Sequence, residues 1–308
     1  MKKIYNLSIV IPVYNDEEVL LELNTRISKV APSLADNYEL VLIDDGSKDK
    51  SWEEICKLKQ INENIVAVKL VRNFGQQNAI AAGLHVAKGD VIVLMDSDLQ
   101  DRPEDIHLLL DALDKNNASM AIAQWISRKD SFFKKFVSNL FYQVSDKITN
   151  IHIQPKLGCF RAMRREVVDE LKNFPEKTAT TLSLLYFIGS NYVCVPLKRD
   201  ARFAGTSGYN IKKMLSLTFA RIFSFSLFPI RLATYIGLFI TLLSFILGII
   251  FIIKYFVTDV AHGWTSVIVL ILFLFGLNFA FLGIIGEYLG KIFLETKQRP
   301  KFIIEVIK

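Results

Sequence analysis

The chain has 308 residues, of which 51% are hydrophobic and 22% are charged, and its 37 Lys and Arg against 31 Asp and Glu leave a net charge of +6. This composition excludes a disordered chain, and the absence of a short repeat excludes a solenoid or a collagen-like protein. The chain is too apolar for an ordinary soluble enzyme, so a membrane part is expected. Cys56, Cys159 and Cys194 have no CxxC spacing and no paired His, which indicates neither a disulfide framework nor a zinc site.

The first 210 residues alternate predicted strands with predicted helices. Runs rich in apolar residues predict buried strands at 7–13, 38–43, 65–70 and 91–95. Helices are predicted at about 16–31, 76–87 and 104–115. This alternation predicts a doubly wound α/β sheet, in which ligands bind beyond the carboxyl ends of the strands.

Polar clusters follow three of the predicted strands, at residues 12–18, 44–47 and 96–100. Because the carboxyl ends of parallel strands meet at one edge of a sheet, we expect these clusters to form one site.

The third cluster contains two carboxylates, Asp96 and Asp98. Residues two apart in a strand face the same side, so both can converge on one hard cation, with a diphosphate completing the shell and Gln100 adding an oxygen. A solvated turn is the alternative. The buried strand directly before Asp96 favours a metal site.

The first two clusters contain candidate nucleotide ligands. Asp45, beside the Gly46 turn, is expected to accept hydrogen bonds from a ribose or a base, with helix capping as the alternative. Tyr14 is expected to stack on a base, with a half-buried aromatic as the alternative. The chain contains neither a P-loop motif nor a glycine-rich dinucleotide motif, which excludes both of those nucleotide-binding classes.

Residues 210–231 have apolar side chains every three or four positions, among them Ile211, Leu215 and Phe219, interspersed with Lys212 and Lys213. This pattern predicts amphipathic helices at a membrane surface. An ordinary helix packed on the globular domain is the alternative.

Residues 232–253 and 264–286 contain no formal charge, and each run is long enough for a helix to cross a bilayer. Lys and Arg flank both runs on their outer sides, so the positive-inside rule predicts both chain ends in the cytoplasm. We therefore divide the chain into a cytosolic α/β domain, interfacial helices, two transmembrane helices and a cytosolic C-terminal tail, at 1–209, 210–231, 232–289 and 290–308.

Five segments then carry a family resemblance: IPVYNDEE, LIDDGSKD, RNFGQQNAIAAGL, KGDVIVLMDSDLQDRPE and RFAGTSGY. They occur in the order seen in family 2 glycosyltransferases with the GT-A fold. Within these, the chain resembles the polyprenyl-phosphate glycosyltransferases of the dolichol-phosphate mannose synthase group. The two C-terminal spans make it similar to the bacterial members, the bactoprenol glucosyltransferases and the undecaprenyl-phosphate aminoarabinose transferase.

The resemblance implies an inverting transfer of a sugar from a nucleotide-sugar, with a UDP-sugar favoured, to polyprenyl (undecaprenyl) phosphate. It also implies a divalent metal, Mg²⁺ or Mn²⁺, and a multi-pass protein of the bacterial inner membrane with a cytosolic catalytic domain. GDP and dTDP stay open as nucleotides, and the sugar, whose pocket is assigned to loops of about 120–185, is not readable.

The resemblance also implies roles for individual residues. Nucleotide-sugar binding falls to Pro12, Tyr14, Asp16, Asp45, Asp96, Ser97 and Asp98. The implied metal ligands are Asp96, Asp98 and Gln100. The implied catalytic residues are Asp96, Asp98 and Arg202. The resemblance places Arg128, Ser138 and Arg202 near the lipid phosphate. Lys212, which precedes the first span, is expected to favour the same anionic head group, with enforcement of topology as the alternative.

Two departures from the family pattern matter. Relatives usually have Asn-Glu where this chain has Asn15-Asp16, and the shorter carboxylate is expected to do the same work. Many relatives have Gly-Asp-Phe-Arg, with the acid proposed as the base, where residues 158–161 read Gly-Cys-Phe-Arg. We interpret Cys159 as a packed thiol rather than a nucleophile. A lipid phosphate is already ionised and needs no strong base.

Two other functions compete with this prediction. A processive polysaccharide synthase is expected to have a QxxRW segment and more spans. A catalytically silent, membrane-anchored nucleotide-sugar-binding protein is expected to have lost a carboxylate of the Asp96–Asp98 pair or the Gly46 turn, and both are intact. No basic stripe interleaved with aromatics indicates a nucleic-acid partner. Relatives can form homo-oligomers, and the sequence leaves the oligomeric state open.

Overall fold

The computed structural model describes residues 3–126, 157–174, 176, 179–188, 191–200, 226–257 and 263–308. The predictions for Arg128, Ser138, Arg202 and Lys212, and those for most of 210–231, lie outside these ranges. The chain forms two compact units, one of Met1–Met214 with Arg299–Lys308 and one of Leu215–Gln298.

We number the elements in chain order. The strands are β1 (Lys3–Val13), β2 (Ala35–Asp44), β3 (Ile65–Leu70), β4 (Val91–Leu94), β5 (Met120–Trp125), β6 (Leu157–Arg164), β7 (Tyr192–Leu197) and β8 (Ile304–Ile307). The α-helices are α1 (Leu20–Leu34), α2 (Ser51–Ile61), α3 (Gln76–Val86), α4 (Ile106–Lys115), α5 (Arg165–Asn173), α6 (Thr181–Ile188), α7 (Phe228–Val257) and α8 (Trp264–Thr296). A short 3₁₀ helix, Pro103–Asp105, precedes α4.

The eight strands form one sheet in the order β7-β5-β6-β4-β1-β2-β3-β8. β6 and β8 run antiparallel to their neighbours, and the remaining pairs are parallel. Val10 of β1 lies opposite Val41 of β2 on one side and Leu94 of β4 on the other. The carboxyl ends of these three strands therefore lie at the same edge of the sheet.

Alternating side chains of the central strands enter two hydrophobic clusters, one on each face of the sheet. Ile9 and Ile11 pack with residues of α1, α2 and α4, whereas Val10 packs with residues of α3, α5 and α6. On this second face a Cβ at Gly83 would lie 2.5 Å from Val10 and 2.6 Å from Ile43, so α3 packs closely on β1 and β2. The predicted doubly wound α/β sheet is confirmed.

Several elements differ from the sequence predictions. α1 begins at Leu20 rather than at 16, because the N–H groups of residues 15–17 donate to side chains between β2 and the start of α2. α2 was not among the predicted elements. The sugar pocket was assigned to loops of about 120–185, and the described parts of that region also contain β5, β6, α5 and the start of α6.

The predicted C-terminal tail, 290–308, contains regular secondary structure. α8 continues to Thr296, and β8 then joins the main sheet as an antiparallel edge strand beside β3. The backbone of Ile304–Ile307 pairs with the free edge of β3. Phe302 and Ile304 pack on the core cluster on one face of the sheet.

The second unit contains α7 and α8. Gly237 of α7 lies against Phe281 of α8, and the hydroxyl of Tyr288 donates to the carbonyl of Ser226 at 2.6 Å, so the two helices run antiparallel. Within the described residues these helices contain two segments long and apolar enough to cross a membrane, Phe228–Leu247 and Phe273–Thr296.

Candidate active site

The loops after β1 and β2 bind each other. The N–H of Asn15 donates to Ser47 Oγ at 3.0 Å, and the N–H of Lys48 donates back to Asn15 Oδ1 at 2.8 Å. These bonds hold Asn15 at a left-handed φ of 54°. Tyr14 is 42% exposed beside this junction, as its predicted stacking role requires, whereas Pro12 is buried near the end of β1.

Asp16 connects the first cluster to the third. Its N–H donates to Ser51 Oγ at 3.0 Å, and its Oδ2 accepts the hydroxyl of Ser97 at 2.5 Å across 81 positions of sequence. Ser97 lies between Asp96 and Asp98 and is buried. The predicted nucleotide-binding and metal-binding loops therefore form one hydrogen-bonded surface.

Asp45 organises the loop after β3. It is buried, and its two carboxylate oxygens accept the backbone N–H groups of Phe74 at 2.7 Å and Gly75 at 2.9 Å. Burial raises the pKa of Asp45, and these two hydrogen bonds partly offset the shift. Gly46 follows with a φ of 65°, and a Cβ there would lie 2.5 Å from backbone atoms of Arg72 and Asn73. Contact of Asp45 with a ribose or base stays a prediction.

Asp96 is held from two sides. Its Oδ1 accepts the side-chain amide of Gln76, at the start of α3, at 2.8 Å, and its Oδ2 lies 3.7 Å from Arg199 Nη2. Asp98 Oδ1 accepts the N–H of Gln100 at 3.2 Å, which holds the Asp98 side chain within the loop after β4. Burial and then the charge of Asp98 raise the pKa of Asp96, against the opposing effect of Arg199. Such repulsion between carboxylates is relieved by a bound cation.

Asp101 is a third carboxylate of this loop and is buried. Its Oδ1 lies 3.4 Å from Arg199 Nε. Burial, followed by the charge of Asp96, raises the pKa of Asp101 to about 7, although Arg199 opposes the shift. The guanidinium of Arg199 also stacks over Trp125 at 5.2 Å, and Trp125 packs directly on Gly158.

Sequence reasoning missed Gln76, Asp101, Trp125 and Arg199 as members of this site. Gln76 and Asp101 lie inside segments that carried the family resemblance, so those segments contained a usable signal. Arg199 stands in an ordinary charged segment, Lys-Arg-Asp, and nothing local indicates its two carboxylate partners.

Cys159, at the position of the acid in many relatives, is buried beside Asp96. Burial and the charge of Asp96 raise the pKa of this thiol well above its ordinary value. The buried Arg161 donates to the carbonyls of Cys159 at 3.0 Å and Gly158 at 2.7 Å. The thiol is therefore protonated and packed, and it is poorly suited to act as a base or a nucleophile.

The donor set has the character of a hard-cation site. Within the described ranges, no group of three or more His, Cys, Asp or Glu side chains is arranged to hold a metal by itself. Mg²⁺ and similar ions are commonly bound through one or two carboxylates, with waters and substrate phosphates completing the shell. Asp96, Asp98 and the amide oxygen of Gln100 fit that pattern.

The sheet and the position of these loops define a GT-A fold. A mannosyltransferase from Pyrobaculum calidifontis, solved with GDP-Man and Mn²⁺, matches 72% of this chain and 64% of its own length, with a TM-score of 0.52 and 18% identity. Glucosyl-3-phosphoglycerate synthase from Mycobacterium tuberculosis, solved with phosphoglyceric acid, matches 72% of this chain and 80% of its own, with a TM-score of 0.50 and 18% identity.

Residues 8–172 match the model of Glycosyl transferase family 2, and the chain belongs to this family of glycosyltransferases. It is 38% identical over 299 residues to an uncharacterized glycosyltransferase of Synechocystis sp., covering 97% of this chain and 94% of that protein. It is 36% identical over 301 residues to the bactoprenol glucosyl transferase of Shigella phage SfV, covering 97% and 98%. The predicted family is confirmed.

Proposed function

We propose that this chain transfers a sugar, with inversion, from a nucleotide-sugar to a polyprenyl phosphate at the cytoplasmic face of the membrane. The observation that carries the proposal is the meeting of Asp16, Ser97, Asp96 and Asp98 at the carboxyl edge of the sheet in a family 2 chain. Its near full-length similarity to proteins named bactoprenol glucosyl transferase supports the acceptor.

A divalent cation would be held by Asp96, Asp98 and Gln100 together with the donor diphosphate. When bound, it supplies positive charge that stabilises the departing nucleoside diphosphate. The surrounding loops position the donor, with Tyr14 on the base and Pro12, Asp16 and Asp45 around the nucleotide. A UDP-sugar is the favoured donor, and Mg²⁺ and Mn²⁺ are both candidates.

The transfer is a direct displacement. An oxygen of the acceptor phosphate forms a bond to the anomeric carbon while the bond from that carbon to the diphosphate oxygen breaks, and the electron pair leaves with the nucleoside diphosphate. The acceptor phosphate is already ionised, so no proton has to be removed. This chemistry agrees with a buried thiol, Cys159, at the position where many relatives have an acid.

The acceptor requires a membrane, because each buried CH₂ of a polyprenyl chain contributes roughly 0.8 kcal/mol to membrane binding. α7 and α8 would keep the enzyme at the bilayer. Arg128, Ser138, Arg202 and Lys212 are proposed to bind the lipid phosphate, and a cation near a phosphate there would help to bring two anions together.

Two substitutions test the proposal with purified full-length protein in detergent and radiolabelled polyprenyl phosphate. Asp98→Ala is expected to lower transfer by about 100-fold or more, because a ligand of the metal that binds the donor diphosphate is lost. Cys159→Ala, which removes the buried thiol beside Asp96, is expected to keep nearly normal transfer. Near-normal activity of Asp98→Ala, or loss of activity in Cys159→Ala, would contradict the proposal.

The donor and the competing function are tested separately. Thermal stabilisation by UDP, GDP, dTDP and their sugars, with and without Mn²⁺ or Mg²⁺, identifies the nucleotide. A product with one sugar per lipid supports the proposal, whereas a growing polymer indicates the processive synthase.

A further inference from the structure

We propose that Arg199 is a positioning residue, which holds the acidic loop of residues 96–101 in the shape that accepts the metal and the donor diphosphate. This inference rests on the proposed function. Arg199 itself is not assigned a contact with substrate, since its described partners are protein groups: Asp96 and Asp101 of the acidic loop and Trp125 of β5.

The guanidinium of Arg199 reaches both ends of the acidic loop. Its Nε lies 3.4 Å from Asp101 Oδ1, and its Nη2 lies 3.7 Å from Asp96 Oδ2. One face of the group stacks over Trp125 at 5.2 Å. The planar, forked shape of a guanidinium allows one side chain to span two carboxylates, which the point charge of a lysine does not.

The backbone that carries Arg199 is also attached to this loop. β7 ends in register with β5, and the N–H of Ile126 donates to the carbonyl of Leu197 at 3.0 Å. Three residues later, the N–H of Asp200 donates to the carbonyl of Gln100 at 3.1 Å. The segment after β7 is thus fixed at both ends, so Arg199 approaches the loop from a rigid support.

The loop needs such a support because Asp96, Asp98 and Asp101 crowd three carboxylates into six residues. Asp101 is buried, and a buried charge without a counter-charge is strongly unfavourable. Without Arg199 the loop loses the side chain that ties Asp96 to Asp101, and it is expected to rearrange and displace Asp98 and Gln100. Gln76 would still hold Asp96 from the other side, so we expect the loss to affect binding more than folding.

The test uses the full chain in detergent and measures binding of UDP with Mn²⁺ by calorimetry. Arg199→Met and Arg199→Lys are both expected to weaken binding by about 10- to 100-fold, as for other groups that orient metal ligands. The control is Arg102→Met, which removes a solvent-exposed ion pair of 3.5 Å between Arg102 and Asp200. This pair also joins the end of the acidic loop to the segment after β7. That variant is expected to change affinity by less than about threefold.

Three results would overturn the inference: full rescue by Arg199→Lys, tighter Mn²⁺ binding in Arg199→Met, or equal affinities in Arg199→Met and the wild type. Either of the first two would mean that Arg199 acts only through its net charge. If Arg199→Met lowers the melting temperature sharply, the binding measurement is repeated with Asp101→Asn. This variant has a neutral side chain at position 101, so the site no longer needs a counter-charge there. Asp101→Asn combined with Arg199→Met should bind no more weakly than Arg199→Met does, whereas additive losses would contradict the proposed coupling.

Failure of the proposed function gives a different result. In that case the wild type binds none of UDP, GDP or dTDP with Mn²⁺ and transfers no sugar to polyprenyl phosphate. If the wild type prefers GDP or dTDP, that nucleotide replaces UDP in every arm. A wild type that binds and transfers, beside an unaffected Arg199→Met, contradicts only the positioning role.

Discussion

Asp44 ends β2 and Asp49 lies in the loop that follows, and their pKa values shift in opposite directions. Asp44 is buried, and burial raises its pKa despite the hydrogen bond that it accepts from the N–H of Ser47 at 3.2 Å. Burial also tends to raise the pKa of Asp49. The hydrogen bonds that Asp49 accepts from Ser51 and from the N–H of Glu17 outweigh this effect, so the pKa of Asp49 is lowered.

These shifts predict opposite pH dependences for Asp44→Asn and Asp49→Asn. Asp44 has a folded pKa above its unfolded value of 3.8, so its stabilising contribution is complete below pH 3.8 and is lost as the pH rises through the folded pKa. Asp44→Asn should therefore gain stability relative to the wild type with rising pH. Asp49 has a depressed pKa, so Asp49→Asn should be less stable than the wild type at neutral pH and should approach it as the pH falls through the folded pKa.

The measurement is the thermal midpoint of each variant and the wild type between pH 3 and pH 8, followed by intrinsic fluorescence. Each variant is the control for the other, since both replace an aspartate near the end of β2 by an amide of the same size. Parallel curves for Asp44→Asn and the wild type would contradict the buried environment of Asp44.

At this scale the sequence indicated which residues meet, but not what their side chains contact. The clusters around Asp16, Asp45 and Asp96 could be predicted because each follows an apolar strand. The use of both Asp45 oxygens by N–H groups 29 and 30 positions away could not, because it depends on how the loop after β3 folds back. The nucleotide- and metal-binding roles of these residues stay predictions.

Among the elements, β8 shows how a short strand escapes sequence analysis. Its alternating residues are typical of a strand, but a four-residue strand is not stable without a partner strand. The partner, β3, lies more than 230 positions earlier in the chain, so the sequence around β8 does not indicate it. The strands of the α/β core were easier to predict, because burial on both faces produces continuous apolar runs. β3 was predicted with its observed limits, Ile65–Leu70, because five of its six residues are apolar.

The packing of β8 predicts that the C-terminal residues stabilise the catalytic sheet. Phe302 and Ile304 are partly buried against the core cluster that also contains Leu70. Phe302→Ala should lower the free energy of unfolding by about 1–3 kcal/mol, because apolar surface returns to water. The matched control is Glu305→Gln, which removes a solvent-exposed ion pair with Lys69 of 3.1 Å and should cost less than about 1 kcal/mol.

Urea unfolding of the full chain in detergent, followed by tryptophan fluorescence, measures both variants. Trp52 is a suitable reporter, because Lys308 of the terminal segment lies over its ring at 5.6 Å. Equal stabilities of Phe302→Ala and Glu305→Gln would show that β8 contributes little to the sheet.

For the molecule as a whole, the return of the chain to its first sheet constrains membrane topology. β1 and β8 belong to one sheet, so residues 3–126 and 304–307 must lie on the same side of any bilayer that the intervening chain crosses. A chain that leaves and returns to one side crosses an even number of times. The observed pair of long apolar helices, α7 and α8, fits two crossings. Flanking charge had predicted the same arrangement, because Lys and Arg lie outside the two runs.

The exposed apolar surface of α7 provides the test of membrane insertion. Phe239 and Leu242 are 66% and 60% exposed near the middle of the helix, and apolar surface of this kind is typical of a membrane or protein contact. Replacing both with Lys should oppose insertion by roughly 5–7 kcal/mol and move the protein from the carbonate-resistant membrane fraction to the soluble or aggregated fraction. Ile61→Lys is the control, since Ile61 is 80% exposed on α2 of the catalytic unit and should leave membrane retention unchanged. Release of the wild type by carbonate, or unchanged retention of the double-lysine variant, would contradict insertion of α7 into the bilayer.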